Sequence, residues 1–331
     1  MTNTLNIGLI GYGYWGPNLA RNITDTDGVK LYAICEMNSG RMQRAKSLYG
    51  GNVELYTDEY RTILECPEID AVVVATQTEP SYQIIMDALD AGKHCFIEKP
   101  IASTVERAEN IHAKARQHGL IVHCDHIMVF NPIIRYVKAM LDSGELGDLM
   151  YIDISRINLG PIRKDVNAML DLAVHDIAVI DYLSSGQTPL TLSALGQVLY
   201  GDQESITYLT LKYPQFIAHI KSSWVSPLKE RRMMIAGTKK MVIFDDVKLT
   251  EKLMIYNHGF DVTNYEEYGH YEVETRTGDI FIPNIKNEDS LKNSVMHFIE
   301  CINNGQASLT GTEHSIRVMK ILEEAMKGLR T

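Results

Sequence analysis

Residues 8–18 read GLIGYGYWGPN, and this stretch decides the fold. Gly11, Gly13 and Gly16 give the spacing G-x-G-x-x-G directly after an apolar run and at the start of a helix-like segment. The first glycine permits a tight turn, the second lets the backbone approach a pyrophosphate, and the third lets the helix pack close to the strand. The helix N-terminus would then face the anion. The pattern predicts a dinucleotide-binding turn; the alternative is a Gly-rich turn in another kind of α/β protein.

An acidic residue stands where such a turn needs one. The second apolar run, VKLYAICE, ends in Glu36, at the distance downstream of the glycines where a ribose-binding carboxylate is expected. A carboxylate there favours NAD, because it accepts hydrogen bonds from the ribose hydroxyls and would repel the 2′-phosphate of NADP. Arg41 and Arg44 follow closely and could offset that repulsion, so NADP stays possible.

Strand-like and helix-like runs alternate from residue 5 to about residue 124. This alternation predicts a Rossmann-type, doubly wound parallel sheet. The pattern then changes to strands separated by turns, which predicts a largely antiparallel open sheet. The expected helices of this second part lie at 131–143, about 288–304 and 312–329.

We therefore predict an α/β protein with two domains. Residues 1–124 would form a dinucleotide-binding Rossmann domain. Residues 125–331 would form an α+β domain for substrate binding and oligomerisation.

Composition excludes several classes of protein. The chain has 331 residues, with 32 Lys and Arg against 42 Asp and Glu, and a net charge of -10. This charge argues against a nucleic-acid surface and against an anionic membrane. The N-terminal residues lack the features of a signal peptide, no run of about 18 apolar residues occurs, and five scattered cysteines fit a reducing compartment. We expect a cytoplasmic location.

Charged residues end the run FIEKP at residues 96–100. In a doubly wound sheet the carboxyl ends of the strands face the ligand. Lys99 could therefore donate to a reacting oxygen and take part in proton transfer. The alternative is a surface Glu98–Lys99 pair.

Residues 163–176 read RKDVNAMLDLAVHD and mix charged with apolar side chains. In a helix, Asn167, Asp171 and His175 would form one polar column, because they recur every four residues. Asp171 could orient His175, whereas Asp176 would point elsewhere as a structural partner. The alternative is an ordinary amphipathic helix with a solvated face.

The stretch HCDH at residues 123–126 raises the question of a metal site. Alternation along a strand would split these side chains between two faces, and zinc needs about four converging ligands. We therefore predict no metal. His126 and Asn131 are interpreted as pocket residues near the cofactor or substrate, with a core or capping role as the alternative.

The nucleotide-binding turn, the strand-end EKP and the downstream D-x-x-x-H together resemble the glucose–fructose oxidoreductase / inositol dehydrogenase / rhizopine-catabolism (Gfo/Idh/MocA) family. The resemblance covers essentially the whole chain. In GYGYWGPNLARN, AGKHCFIEKP and HIMVFNP it looks most like members that oxidise nucleotide-linked sugars. Three positions depart from the family pattern: Asp125 replaces a frequent glycine, Phe130 a frequent tyrosine, and Pro161 interrupts a loop.

The resemblance implies roles for individual residues. Lys99 would bind the reacting hydroxyl and help its proton leave, His175 would be the general base, and Asp171 would face the substrate. Members of the family divide the role of base differently between lysine and histidine. The residues implied in cofactor binding are Gly11, Gly13, Tyr14, Trp15, Gly16, Glu36, Thr76, Glu98 and Lys99. Those implied in substrate binding are His126, Asn131, Arg156, Asn158, Arg163 and Asn167. For the two arginines the alternative is a surface pair with Asp153 or Asp165.

These features predict an NAD(H)-dependent oxidoreductase that transfers a hydride between a sugar secondary alcohol and nicotinamide. The resemblance points to C3 of a nucleotide-linked sugar or uronic acid. The alternatives are an NADP(H)-dependent 3-ketoreductase of deoxysugar biosynthesis, a free polyol or inositol dehydrogenase, and an NAD-sensing regulatory protein without chemistry. In relatives the second-domain sheet pairs subunits, so we expect a homodimer or homotetramer, with a monomeric core as the alternative.

Overall fold

A computed structural model describes residues 4–264 and 271–329 of the chain. The chain divides into two compact units. The first unit comprises the chain up to Asn131 together with Glu288–Lys320, and the second comprises Pro132–Asn287 together with the chain from Ile321 on. These limits differ from the predicted ranges 1–124 and 125–331, because residues 125–131 and 288–320 pack with the first unit.

The described residues contain the following regular elements. The strands are β1 Leu5–Ile10, β2 Val29–Cys35, β3 Leu55–Thr57, β4 Ala71–Val74, β5 His94–Ile97, β6 Val122–Cys124, β7 Leu149–Ile157, β8 Thr191–Gln197, β9 Ile206–Lys212, β10 Ile217–Ser223, β11 Glu230–Gly237, β12 Met241–Asp245, β13 Leu253–Tyr256, β14 Gly259–Asn264, β15 Tyr271–Arg276 and β16 Ile280–Phe281. The α-helices are α1 Gly16–Thr24, α2 Ser39–Tyr49, α3 Tyr60–Leu64, α4 Thr78–Asp90, α5 Val105–His118, α6 Pro132–Asp142, α7 Val174–Leu183, α8 Ser290–Asn304 and α9 Thr312–Gly328. Short 3-10 helices lie at Gly50–Asn52 and Ile127–Phe130, and a π-helix at Met169–Ala173.

The first unit is built on a six-stranded sheet in the order β3-β2-β1-β4-β5-β6. All of its strand pairs are parallel. The chain runs outward from β1 in one direction and then from β4 in the other, so the order reverses between these two strands. In such a sheet the carboxyl ends beside the reversal form a ligand-binding crevice. The predicted Rossmann-type sheet is confirmed.

Helix α8 contributes to the core of the first unit. Its Phe298 is fully buried and packs edge to face against Phe96 of β5, with ring centroids 5.7 Å apart. Val295 and Ile299 of the same helix join the apolar cluster that also contains Leu9 of β1. Burial of this apolar face is the physical reason that residues 288–320 belong to the first unit.

The second unit is built on an eight-stranded sheet in the order β16-β13-β12-β11-β7-β10-β9-β8. Strand β7 pairs parallel with β10 and antiparallel with β11, and the remaining pairs are antiparallel. The largely antiparallel sheet is therefore confirmed. A separate two-stranded hairpin joins β14 to β15.

The two faces of this sheet differ in exposure. Ile152, Leu209 and Ile220 lie on a buried face. On the opposite face Tyr208 and Ile217 are 38% and 43% exposed. Alternate side chains of a strand point to opposite faces, so this alternation gives the sheet one core side and one side open to other contacts. Within the described residues, no helix combines the length and apolar character that a membrane span requires.

The stretch predicted as a helix at 163–176 is helical only in its second half. The prediction is wrong for residues 163–167, which form an irregular segment. Asn167 ends that segment, and its Oδ1 accepts from the Leu170 amide at 3.0 Å, as a helix cap does. A π-turn then precedes α7, a feature that frequently occurs at functional sites.

Replacing Phe298 by alanine should lower the free energy of unfolding of the first unit by about 3–5 kcal/mol, because it leaves a cavity in a closed core. Chemical denaturation would measure the change. Met296→Ala is the matched control, since that side chain on the same helix is 40% exposed. Equal effects of the two substitutions would contradict the placement of α8 in this core.

Candidate functional site

The glycine-rich turn follows β1 and is shaped by close backbone approaches. Gly11 has a φ of +97°, and a Cβ there would lie 2.7 Å from the carbonyl oxygen of Ala75. A Cβ on Gly16 would lie 2.7 Å from the carbonyl oxygen of Gly11. At Gly13 the nearest atom is Arg41 Nη1 at 3.7 Å, an ordinary contact. The protein itself therefore requires glycine at 11 and 16, whereas Gly13 leaves room beside its backbone for a ligand.

Glu36 directly follows β2, and backbone amides hold its carboxylate. The Tyr12 amide of the glycine turn donates to Oε2 at 2.8 Å, and the Asn38 amide donates to Oε1 at 2.8 Å. Arg41 Nη1 lies 3.9 Å from Oε2. The carboxylate thus joins the turn to the next strand end and stays close to the place where the sequence predicts a ribose.

Thr76 follows β4 and lies against the same turn. Its Cγ2 would be 3.1 Å from a Cβ on Gly11. Its Oγ1 is buried and has no hydrogen-bond partner among the described residues. Tyr14 is 87% exposed and Trp15 is 40% exposed, with their rings in an edge contact at 5.6 Å. The open space at Gly13, the Thr76 hydroxyl and the Glu36 carboxylate fit a dinucleotide whose pyrophosphate crosses the turn.

Charged residues cluster at the ends of β5 and β6, which are neighbours in the sheet. Glu98 and Lys99 follow β5, and Asp125 follows β6 with its amide donating to the Ile97 carbonyl at 2.8 Å. Burial and, to a smaller extent, the Asp125 carboxyl raise the pKa of Glu98 to about 8, against the lowering effect of Lys99. Burial likewise raises the pKa of Asp125 to about 7, against the lowering effects of Ser294 and Lys99. Near neutral pH these carboxyls therefore exchange protons readily.

His123 and Asp125 are joined through a serine of α8. Ser294 Oγ donates to Asp125 Oδ1 at 2.7 Å, and His123 Nε2 lies 2.9 Å from the same Oγ. His123 Nδ1 lies 2.8 Å from Ser308 Oγ. Sequence reasoning missed this network. The i, i+2 spacing of His123 and Asp125 could have indicated a shared side, but no signal points to a serine 169 residues away.

His126 and Asn131 flank the 3-10 helix after β6. His126 is buried, and its ring makes an edge contact with that of His314 at 5.1 Å. Asn131 is half-buried and its amide donates to the Met128 carbonyl at 3.2 Å. Among the described residues, no group of three or more His, Cys, Asp and Glu side chains is arranged to hold a metal ion.

In the second unit, Asp171 lies in the π-turn and accepts two donors. Arg163 Nη1 donates to Oδ1 at 3.1 Å, and the indole Nε1 of Trp224 donates to Oδ2 at 3.1 Å. Arg163 also pairs with Asp165 at 2.6 Å, which is one of the pairings expected for it, and its role toward a substrate stays a prediction. His175 is half-buried at the start of α7. The Asp171 carboxylate is therefore oriented by two side chains, one from the preceding loop and one from the residue that follows β10.

Two predicted substrate residues are buried in supporting contacts of the second unit. Arg156 donates to Asp176 through Nε at 2.9 Å and through Nη2 at 2.6 Å, and both residues are buried. Asn167 is also buried and its Nδ2 donates to Glu204 at 2.8 Å. The pairing of Arg156 with Asp176 replaces the surface pairing with Asp153 that was the alternative.

Asn158 follows β7 and is half-buried, and its amide donates to the Ser223 carbonyl at 3.0 Å. Its Nδ2 would lie 2.4 Å from a Cβ on Gly160. The side chain therefore folds back over the following loop, and the glycine makes room for it.

Two family models match most of the chain, and individual relatives match it along different shares of its length. A model described as "Oxidoreductase family, NAD-binding Rossmann fold" matches residues 5–126, and one described as "GFO/IDH/MocA C-terminal domain" matches residues 134–243. The scyllo-inositol 2-dehydrogenase (NAD(+)) of Bacillus subtilis (strain 168) is 24% identical over 321 residues, or 92% of this chain and 86% of that one. The uncharacterized oxidoreductase YrbE of the same strain is 26% identical over 192 residues. That match spans 56% of each chain, about half the length of the relative.

Among solved structures, UDP-N-acetylglucosamine 3-dehydrogenase GnnA from Acidithiobacillus ferrooxidans matches with a TM-score of 0.80 at 22% identity. The match covers 98% of this chain and 97% of that one. At this level of identity the likeness shows the fold alone.

Replacing Gly13 by alanine should weaken NAD binding while the fold stays intact, because the added Cβ meets only the flexible end of Arg41. We expect the Kd for NAD to rise about tenfold or more, equivalent to about 1.4 kcal/mol. Isothermal calorimetry would measure the Kd. Gly11→Ala is the matched comparison and should destabilise the protein by about 1–3 kcal/mol through its positive φ alone. An unchanged Kd in Gly13→Ala would contradict the assignment of the turn.

The stability of the first unit should fall as pH rises through the pKa values of Glu98 and Asp125. Both folded-state values are raised above the unfolded ones, so the folded state prefers the protonated forms. Their stabilising contribution is complete below about pH 4 and is lost progressively as pH rises from about 4 to about 8, through both folded-state pKa values. Asp125→Asn removes one of these groups, so its melting temperature should fall less than that of the wild type over this range. Asp27→Asn, at an exposed position, is the control; parallel curves for all three proteins would refute the expectation.

Proposed function

The chain belongs to the Gfo/Idh/MocA family of NAD-binding oxidoreductases, and we propose that it oxidises a secondary alcohol of a nucleotide-linked sugar, at C3 of a sugar or uronic acid. The type of enzyme that it most resembles in sequence motifs is UDP-N-acetylglucosaminuronate 3-dehydrogenase. The coarser activity, an oxidoreductase that uses NAD, is that of the family itself.

One observation carries the chemistry of the proposal. Lys99 follows β5 in the NAD-binding unit and acts electrostatically on two carboxyl groups, Glu98 and Asp125, whose pKa values burial raises to about 8 and about 7. Removing a hydride from an alcohol carbon also requires that the hydroxyl proton leave, and a positioned donor can stabilise the developing alkoxide. The cluster supplies a cation and proton acceptors at the edge of the sheet that faces ligands in this fold.

The cofactor would be held by residues of the first unit. The Gly13 backbone would approach the pyrophosphate, Glu36 would bind the ribose hydroxyls, and the Thr76 hydroxyl would complete the contacts of the turn. Tyr14, Trp15 and Glu98 border the same strand ends. When bound, NAD supplies the hydride acceptor. The residues of the chain bind and orient the alcohol and remove its proton.

We assign the proton chemistry to Lys99 and His175. Lys99 binds the reacting hydroxyl, and His175 or Lys99 takes its proton. Asp171 orients a sugar hydroxyl, because Trp224 and Arg163 hold its carboxylate in place. Arg163 also keeps part of its guanidinium at the surface, where it suits a carboxylate or diphosphate.

The remaining predicted residues receive supporting roles in this proposal. Arg156 holds Asp176, the residue after His175, and thereby fixes the start of α7. Asn167 caps the turn that carries Asp171. His126, Asn131 and Asn158 border strand ends of their own units and are assigned to the substrate or cofactor pocket.

A free polyol is the second candidate substrate. The observation that favours it is the match to scyllo-inositol 2-dehydrogenase along 92% of this chain. The reverse reaction with NADP(H) is a further alternative, since Arg41 lies 3.9 Å from Glu36 and can partly neutralise it.

We also propose that the protein forms a homodimer or homotetramer through the eight-stranded sheet. The support is the half-exposed face that carries Leu195, Tyr208 and Ile217, of which Leu195 is 69% exposed. Burying such residues between copies would remove apolar surface from water. Light scattering that shows a monomer at working concentration would reject this proposal.

The experiment for the substrate is reduction of nicotinamide against a panel of alcohols. The panel contains UDP-, dTDP- and GDP-sugars, their uronic acids and free polyols, each with NAD and NADP. Turnover with a UDP-uronic acid and NAD supports the proposal. Turnover with a free polyol alone would replace it by the second candidate.

Lys99→Met should abolish turnover with the active substrate and leave the Kd for NAD within about twofold, because only the donor to the reacting oxygen is lost. Stopped-flow absorbance measures the first quantity and calorimetry the second. Lys30→Met, which removes an exposed cation that pairs with Glu54 in the same unit, is the control. Full activity in Lys99→Met would remove Lys99 from the site.

A further inference from the structure

A continuous chain of hydrogen-bonding groups runs through the interior of the first unit. It begins at Asp125, passes through Ser294 and His123, and ends at Ser308. The three separations are 2.7, 2.9 and 2.8 Å. Each is a hydrogen-bond distance, so a proton can move along the chain without any large displacement of atoms.

The two ends of this chain lie in different surroundings. Asp125 is held beside the end of β5 by the bond from its amide to the Ile97 carbonyl. Ser308 is partly exposed and lines a surface cavity of about 500 Å³ next to Val122 and Thr312. The middle of the chain, His123 and Ser294, is completely buried. The chain therefore leads from the charged cluster at the ends of β5 and β6, through buried side chains, to the partly exposed Ser308.

The protonation behaviour of the members suits proton transfer. Burial lowers the pKa of His123 well below its ordinary value, so the ring is neutral at pH 7. A neutral imidazole accepts at one nitrogen and donates at the other. Burial raises the pKa of Asp125, so this carboxyl can take up and release a proton near neutral pH.

We propose that Asp125, Ser294, His123 and Ser308 form a proton relay that carries the proton of alcohol oxidation from Lys99 to solvent. The inference rests on the proposed function, since that reaction releases the proton. In the reaction the C–H electron pair leaves as hydride to the nicotinamide, the carbon–oxygen double bond forms, and the hydroxyl proton passes by way of Lys99 to Asp125.

The transfer through the relay balances at every group. Protonated Asp125 gives its proton to Ser294 Oγ, and the Ser294 hydroxyl proton moves to His123 Nε2. The proton on His123 Nδ1 moves to Ser308 Oγ, whose own proton leaves to water. The result is ionised Asp125 accepting from Ser294, which is the hydrogen-bond direction in the structure. Reversing these steps supplies a proton when the ketone is reduced.

Other charged and titratable groups act on the relay from each neighbouring element. Lys99, at the end of β5, lowers the pKa of Asp125, whereas Asp289, at the N-cap of α8, raises it. The pKa of His123 is lowered by three other histidines, which are His297 of α8, His314 of α9 and His126 after β6. Because these histidines disfavour a positive ring, they favour the neutral form of His123 on which the relay depends.

The test compares the release of the proton with the reduction of nicotinamide in one turnover. The full-length protein is mixed rapidly with NAD and the active alcohol in weak buffer with a pH-indicator dye. In the wild type both signals should rise together. In Ser294→Ala the rate of proton release should fall about tenfold or more, so that it lags behind nicotinamide reduction. Loss of a positioned proton transfer usually costs about 100-fold or more in rate. We expect a smaller effect because water can carry some of the protons to solvent.

Two further variants keep the test decisive. Ser308→Ala changes a partly exposed residue and should also show the lag. Ser315→Ala is the matched control, because this buried serine of the same unit donates to backbone carbonyls outside the relay. Proton release that keeps pace with reduction in Ser294→Ala and Ser308→Ala, as in the control, would overturn the relay.

A measurement without substrate separates the relay from the proposed function. In the unliganded protein labelled with nitrogen-15 at histidine, exchange of the His123 ring proton with solvent can be followed by NMR. The relay predicts slower exchange in Ser308→Ala than in wild type and Ser315→Ala. Unchanged exchange would overturn the relay even if no alcohol of the panel were oxidised, whereas slower exchange with no turnover would overturn only the proposed function.

Discussion

The first unit depends on how closely the backbone after β1 approaches the end of β4. The carbonyl of Ala75 and the turn at Gly11 leave no space for a side chain, and Gly16 starts α1 directly against the Gly11 carbonyl. This close packing fixes the first helix relative to the sheet and brings Tyr12 to Glu36. The ligand-facing edge of the sheet is therefore set by steric exclusion between backbones and by one carboxylate that links two strand ends.

Ionisable side chains, whose charged forms water would solvate better, cluster at the same edge of the parallel sheet. Glu98, Lys99 and Asp125 are partly or completely withdrawn from solvent, and burial raises the pKa of both carboxyls, with Asp125 raising that of Glu98 as well. A purely structural strand end would not gain from such an arrangement. Perturbed groups with specific charge partners are typical of functional sites, and here they occur in a unit built to bind a dinucleotide.

The sequence predicted more of the fold than of the contacts within it. Glycine spacing and strand–helix alternation depend on local backbone geometry, so both sheets and the helices at 131–143, 288–304 and 312–329 could be predicted. That residues 288–320 belong to the first unit could not be predicted, because it depends on how Phe298 packs in three dimensions. Arg156 shows the same limit: its bond to Asp176 arises from the side-by-side placement of β7 and α7, which no local pattern encodes.

The π-turn before α7 has a consequence for how the second unit can change over evolution. A π-turn contains one residue more than the α-helical turn that it replaces. Loss of residue 172 or 173 would restore an α-helix and rotate the preceding residues, Asp171 among them, by about 100° about the axis of α7. Asp171 would then turn away from Trp224 without any change of amino acid at either position. The direction of this carboxylate is thus encoded by the number of residues in the turn as well as by their identity.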